Sequence, residues 1–108
     1  MPPWQRRVLT RLRALAAAGR VNFTAKARDE MATAGLHPED VLDILSSLGR
    51  AERIARVRSE RHGEWLYVCR PRVGSSPLYL KVVLRSGCTL ISCHDDAPDA
   101  TSEATDGE

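Results

Sequence analysis

The chain has 108 residues, enough for one domain with a modest core. Its formal charge of +2 hides an uneven distribution: all 16 Lys and Arg lie at or before Arg85, and the last fourteen residues, DDAPDATSEATDGE, hold six acids and no base. Positions 1–94 therefore carry 16 basic against 8 acidic residues, a body charge of about +8. No apolar run reaches the ~20 residues of a membrane span, so no membrane partner is expected.

Cys69, Cys88 and Cys93 make an odd number, with no CxxC pair and no signal peptide. This argues for a cytoplasmic protein with free thiols. All three sit in apolar runs and read as small hydrophobes. Cys93 adjoins His94, but nothing around it resembles a nucleophile motif. There is no metal-ligand cluster and no nucleotide-binding glycine loop, so neither metal nor cofactor is expected. Only Lys26 and Lys81 are lysines. Arginine's fork suits phosphate, yet an Arg- and Ala-rich, Lys-poor chain also follows from a GC-rich genome. Charge alone leaves a nucleic-acid partner open.

In chain order, Val8, Leu9, Leu12, Leu15 and Ala16 fall at helical spacing, with arginines interleaved and Gly19 as a stop. Residues 21–24, VNFT, are β-prone and suit a short edge strand. Thr24 can cap a second helix running to about Thr33 and ended by Gly35. Pro38, followed by Glu39 and Asp40, starts a third helix with an apolar face of Val41, Leu42, Ile44, Leu45 and Leu48, ended by Gly49. The period then changes to two. Residues 53–59 and 64–70 form a hairpin around Arg61-His62-Gly63, and 71–77 form a loop. Residues 78–84, LYLKVVL, make a central strand, and 88–93, CTLISC, the last one. The result is α+β: N-terminal helices, then a four-stranded antiparallel meander, with the short extra edge strand at 21–24 left open. Residues 1–94 form the single domain, and 95–108 an acidic disordered tail.

Trp65 to His94 concentrates the chemistry. Arg70, Arg72, Tyr79, Lys81 and His94 place cationic, phenolic and imidazole groups on one small sheet. Such a set grips phosphate and moves protons. Strand alternation puts Tyr79 and Lys81 on one face, opposite Leu78, Leu80 and Val82. Arg56 and Arg58 share a face of their own strand. If that is the face of Tyr79 and Lys81, four polar groups converge. The competing reading is a solvated polar face of a half-covered sheet.

The order and spacing of these segments resemble the MqsR (motility quorum-sensing regulator) toxins. The pieces are Ala18-Gly19-Arg20-Val21 with Thr24, Ala34-Gly35-Leu36, and Glu39-Asp40-Val41 with Leu45. They continue with Trp65, Val68, Arg70, Pro71 and Arg72, then Tyr79-Leu80-Lys81, then Ser92-Cys93-His94. Together they span about Leu9 to His94. The resemblance implies a RelE-like fold and a small mRNA interferase that cuts without metal. It also implies a cognate antitoxin, with the ribosome left open as a further partner. Where the family pattern has a polar pair, this chain has Leu66 and Tyr67. Arg56 is the nearest cation to a family lysine on the first long strand, and His94 stands in place of an ending lysine.

The resemblance makes Tyr79, His94, Arg56 and Lys81 the catalytic candidates, and Arg58, His62, Arg70 and Arg72 the RNA-binding ones. His94 fits a general acid or base near neutral pH. Tyr79 can orient the 2′-hydroxyl or the scissile phosphate. His62 sits in a turn, where a histidine is usually only solvated. His37, before Pro38, reads as local structure. Trp4 and Trp65 read as packing residues. Two other functions stay open: a non-catalytic RNA- or DNA-binding module on the same fold, and an interaction protein whose basic face meets an acidic partner or its own tail.

Overall fold

Pro3 begins the first helix, α1 (Pro3–Ala17), where its missing N–H is no loss and its fixed φ is already helical. The computed structural model describes residues 2–49, 53–61, 63–74 and 76–95. In α1 the buried residues are Val8, Leu9, Leu12, Leu15 and Ala16, the stripe set by three- and four-residue spacing. The helix ends at Gly19, whose φ of 72° lets the Arg20 N–H reach the Leu15 carbonyl at 2.8 Å. After β1 (Val21–Phe23), Thr24 caps α2 (Ala25–Ala34), its Oγ1 accepting the Ala27 N–H at 3.0 Å. Gly35 stops α2 as Gly19 stops α1, with φ 75°. α3 (Pro38–Ser46) starts on another proline, and the His37 N–H donates to Asp40 Oδ2 at 2.9 Å. It ends before Gly49, the stop expected from the sequence.

The remaining strands are β2 (Ile54–Arg58), β3 (Trp65–Cys69), β4 (Arg72–Val73), β5 (Ser76–Leu84) and β6 (Cys88–Asp95). The sheet order is β1-β6-β5-β3-β2, with β4 paired to β5. β2, β3, β5 and β6 form the expected antiparallel meander, and β5 is central. The sheet as a whole is larger and mixed, which corrects the four-stranded expectation. β1 lies parallel to β6 and occupies its outer edge. The stretch 71–77, expected as a loop, folds into a small hairpin: Arg72 pairs with Pro77 and Val73 with Ser76, and Gly74 turns at φ 65°.

Ile54, Cys69, Leu80, Val82, Leu90 and Cys93 project from one face of the sheet into a core shared with the helices. The pairing of β5 with β6 shifts register between Lys81 and Val82. Lys81 pairs with Ser92 and Val82 with Leu90, so Ile91 is an extra residue in β6. Without it, Leu90, Ser92 and His94 would share a face. With it, Leu90 is fully buried in the core while Ser92 and His94 turn to the other side. Thr24 holds the bulge: its N–H donates to the Leu90 carbonyl at 3.1 Å and its hydroxyl to the Ile91 carbonyl at 3.4 Å.

Thr24→Val keeps the shape and the backbone contact to Leu90 but removes both the cap and the hydroxyl's contact with Ile91. It should cost about 1–2 kcal/mol, read as a lower urea midpoint at unchanged slope.

Candidate functional site

The face turned away from the helices carries Tyr79, Lys81 and Val83 from β5, Ser92 and His94 from β6, and Val68 from β3. Tyr79 and His94 are direct partners across β5 and β6. Their rings stack with centroids 4.7 Å apart and planes 11° from parallel. The Arg70 guanidinium lies over the Tyr79 ring, 5.2 Å from its centroid. Arg70, Tyr79 and His94 therefore form a three-layer stack at one end of the sheet. Lys81 stands half-buried one step along β5, about 6.6 Å away at Cα by strand rise.

The last strand shapes His94 locally. Its Nδ1 lies 3.0 Å from the Asp95 carbonyl. A carbonyl only accepts, so Nδ1 donates to it, and in the neutral ring Nε2 is the nitrogen with the lone pair. Beside the ring a shallow cleft of about 210 Å³ is lined by Asp29, Glu30, Thr33, Ala34, His94 and Asp95. The imidazole thus stands between cations on the sheet and carboxylates on α2.

Two residues that sequence reasoning missed organise this corner. Lys26 of α2 donates to Ser92 Oγ at 2.9 Å and to Glu30 Oε2 at 2.9 Å. Glu30 Oε1 accepts the Cys93 N–H at 2.7 Å, satisfying the edge of β6 beyond the reach of β1. Burial works to raise the Glu30 pKa. The Cys93 amide, the Lys26 ammonium and the charge at His94 outweigh it and hold the carboxyl below its usual value. The i,i+4 spacing of Lys26 and Glu30 was visible in sequence as a helix-face pair. Their place against β6 was not.

Arg56 and Arg58 are not on this face. Arg56 pairs with Tyr67, which pairs with Val82, and Val82 is a core residue. The four-group convergence that the sequence left conditional does not form. Arg56 instead sits 4.3 Å from both the Trp4 and the Trp65 ring centroids, and Arg58 lies 4.9 Å from that of Trp65. Arg72 is separate again, lining a groove of about 520 Å³ with Asp43, Ile44, Ser47, Leu48 and Val73. His62 lies outside the described residues, as do 96–108 of the acidic tail. His37 is at the α3 start, where its Nδ1 is 3.6 Å from Asp40 Oδ2.

Cys69, Cys88 and Cys93 are buried thiols, none of them in a disulfide. Burial pushes the Cys88 thiol up to about 12, against a small opposing effect of Arg11. Burial, with Glu30 and Asp95, pushes Cys93 up to about 11. Neither is a thiolate at neutral pH, so Cys93 is not poised to attack anything beside His94. Among the described residues no group of three or more His, Cys, Asp or Glu is placed to hold a metal, and no helix is long and apolar enough to cross a membrane.

Residues 6–95 match the family described as motility quorum-sensing regulator, toxin of MqsA. The chain belongs to this family. The match covers α1 from Arg6 on, the other two helices, the sheet and the whole Arg70–Tyr79–His94 stack. No curated protein matches the chain.

Glu30 has a lowered pKa in the fold, so the stability it contributes is complete above the ordinary carboxylate range and is lost as pH falls through its folded value. Glu30→Gln should cost about 1–2 kcal/mol at neutral pH. Its deficit against the wild type should shrink on acidification below pH ~4, the unperturbed carboxylate region, in denaturant melts across pH. Iodoacetamide at pH 7 should leave all three thiols of the native protein unalkylated by mass spectrometry and modify them after unfolding.

Proposed function

We propose that this protein is the toxin of a toxin–antitoxin pair and a metal-independent endoribonuclease acting on mRNA, with Tyr79, Lys81, His94 and Arg70 as its working groups. The observation that carries this reading is the Arg70–Tyr79–His94 stack beside Lys81, on the sheet face opposite the core of a toxin-family chain. The reaction is attack of a 2′-oxygen on the adjacent phosphorus. The O2′–P bond forms and the P–O5′ bond breaks, leaving a 2′,3′-cyclic phosphate and a free 5′-hydroxyl. In its neutral form His94 takes the 2′-hydroxyl proton on Nε2, with Nδ1 donating to the Asp95 carbonyl. Arg70 sets a permanent charge against the phosphorane oxygens. The Tyr79 hydroxyl orients the phosphate, and its ring fixes the plane of the imidazole. Lys81, on the same face, supplies the proton that the leaving 5′-oxygen needs.

Arg56 and Arg58 take no part in that step, because they occupy the opposite face. The partner is an antitoxin, in keeping with the family description, and a body charge of about +8 favours an acidic surface on it.

Purified protein with RNA in EDTA tests the reading. Cleavage to cyclic-phosphate ends is expected, with His94→Ala slowing it about 10²–10⁴-fold. Tyr79→Phe keeps the stack, so the loss of up to about 10²-fold that it should show reports the hydroxyl alone. Both variants should melt like the wild type and fail to arrest growth on expression. RNA binding without cleavage by the wild type would overturn the catalytic reading and leave a binding module.

A further inference from the structure

Trp4 of α1, Arg56 and Arg58 of β2, and Trp65 of β3 form a second cationic cluster, on the helix-covered side of the sheet and apart from His94. Arg56 is held between two indoles at 4.3 Å each. Arg58 shares the Trp65 ring at 4.9 Å. Both guanidiniums are exposed, and Trp65 is 36% exposed. Neither arginine makes a hydrogen bond or an ion pair among the described residues, so their N–H edges face solvent. Of the two acids in the hairpin turn, Glu64 is committed to Arg85 through contacts of 3.0 and 2.6 Å, and Glu60 pairs with neither arginine among the described residues. The neighbouring α1 carries Arg6, Arg7, Arg11 and Arg13 and no acid.

Packing alone does not call for this arrangement. Two like charges share one ring with no anion between them, which is unfavourable until an anion arrives. The indoles fix the guanidinium planes beforehand, so little rotamer freedom is left to lose on binding. Arg56 and Arg58 are two residues apart on a strand, about 6.6 Å, close to one nucleotide step along a strand of RNA. Arg56 covers one face of Trp4 and shares Trp65 with Arg58, and the guanidinium edges are left for phosphate oxygens.

We infer that the Trp4–Arg56–Trp65–Arg58 ladder is a second contact for the RNA backbone, gripping two successive phosphates of the substrate strand beyond the cleavage site. This rests on the RNA reading above but not on the His94 chemistry. It makes the ladder an affinity element: long substrates feel it, and the shortest do not.

Trp4 and Trp65 are the only tryptophans, so indole emission of the full-length protein reports on the ladder directly. The probe is a short 2′-O-methyl oligonucleotide, which keeps the phosphates and cannot be cut. It should change the emission saturably. Arg58→Ala leaves the Arg56 sandwich in place and should lower the slope of log affinity against log salt by about 0.7, one single-strand phosphate contact. Arg56→Lys keeps the charge, loses the planar fork and should weaken binding several-fold without lowering the melting temperature. Cleavage of a dinucleotide should be unchanged in both. Unchanged affinity and salt slope in both variants would overturn the ladder, while loss of cleavage in His94→Ala would leave the enzyme reading standing. Poly-glutamate binding with equal affinity and equal dependence on Arg58 would also overturn it, in favour of an acidic protein surface. No binding of the oligonucleotide at all would remove the ladder and the RNA reading together.

Discussion

The single extra residue at Ile91 decides what this sheet presents. A strand alternates strictly, so Leu90, Ser92 and His94 would lie on one side of a regular β6. Leu90 is needed in the core, where it is fully buried. A regular strand would then carry His94 into the helix-covered side and turn Cys93 outward. The bulge reverses the parity halfway along β6. The first half feeds the core with Cys88 and Leu90, and the second feeds it with Cys93 while turning Ser92 and His94 away. Tyr79 and His94 face each other across β5 and β6 only because of that reversal.

A bulge frees backbone groups, and α2 is placed to take them. Thr24 binds the Leu90 and Ile91 carbonyls as it caps the helix, and Glu30, less than two turns later, accepts the Cys93 amide. β1 covers the outer edge of β6 over Cys88 to Leu90, and α2 covers it from there on. The handover from strand to helix at Thr24 is therefore the same event as the parity change in β6. It also brings carboxylates to His94, since the helix that closes the edge carries Asp29 and Glu30 on the side facing the ring. The charge gradient across the imidazole, cations on one side and acids on the other, is a consequence of how the edge is sealed.

Much of this was legible from residues alone. Helical spacing in 8–16, the Thr24 cap, the Gly19 and Gly35 stops and Pro38 each define an end or a face by local physics, and each element stands close to where that physics puts it. The period-two segments marked the meander, and alternation paired Tyr79 with Lys81 correctly. What was not legible is non-local. A bulge has no sequence sign when every residue of CTLISC is plausible on either face, so the face of His94 was open. The side of Arg56 depended on the hairpin register, which a turn of uncertain length does not specify. The parallel pairing of β1 and the role of Glu30 require knowing which edge of the sheet the first half of the chain returns to.

The distribution of lysine bears on whether composition or chemistry shaped the site. A GC-rich coding bias would replace lysine by arginine through most of the chain and would leave the remaining lysines scattered. They are not. Lys26 and Lys81 are the only two in the sequence, and both lie beside Ser92: Lys26 Nζ is 2.9 Å from its hydroxyl, and Lys81 is its register partner on β5. Ser92 is the one buried polar residue among those described, at 4% exposure. Arginine holds its proton throughout the accessible pH range, while an ammonium can release one and turn its three donors to different acceptors. The chain therefore sets arginine where a fixed planar charge meets a ring, on Tyr79 and between Trp4 and Trp65, and has its two lysines beside Ser92, in the row next to His94.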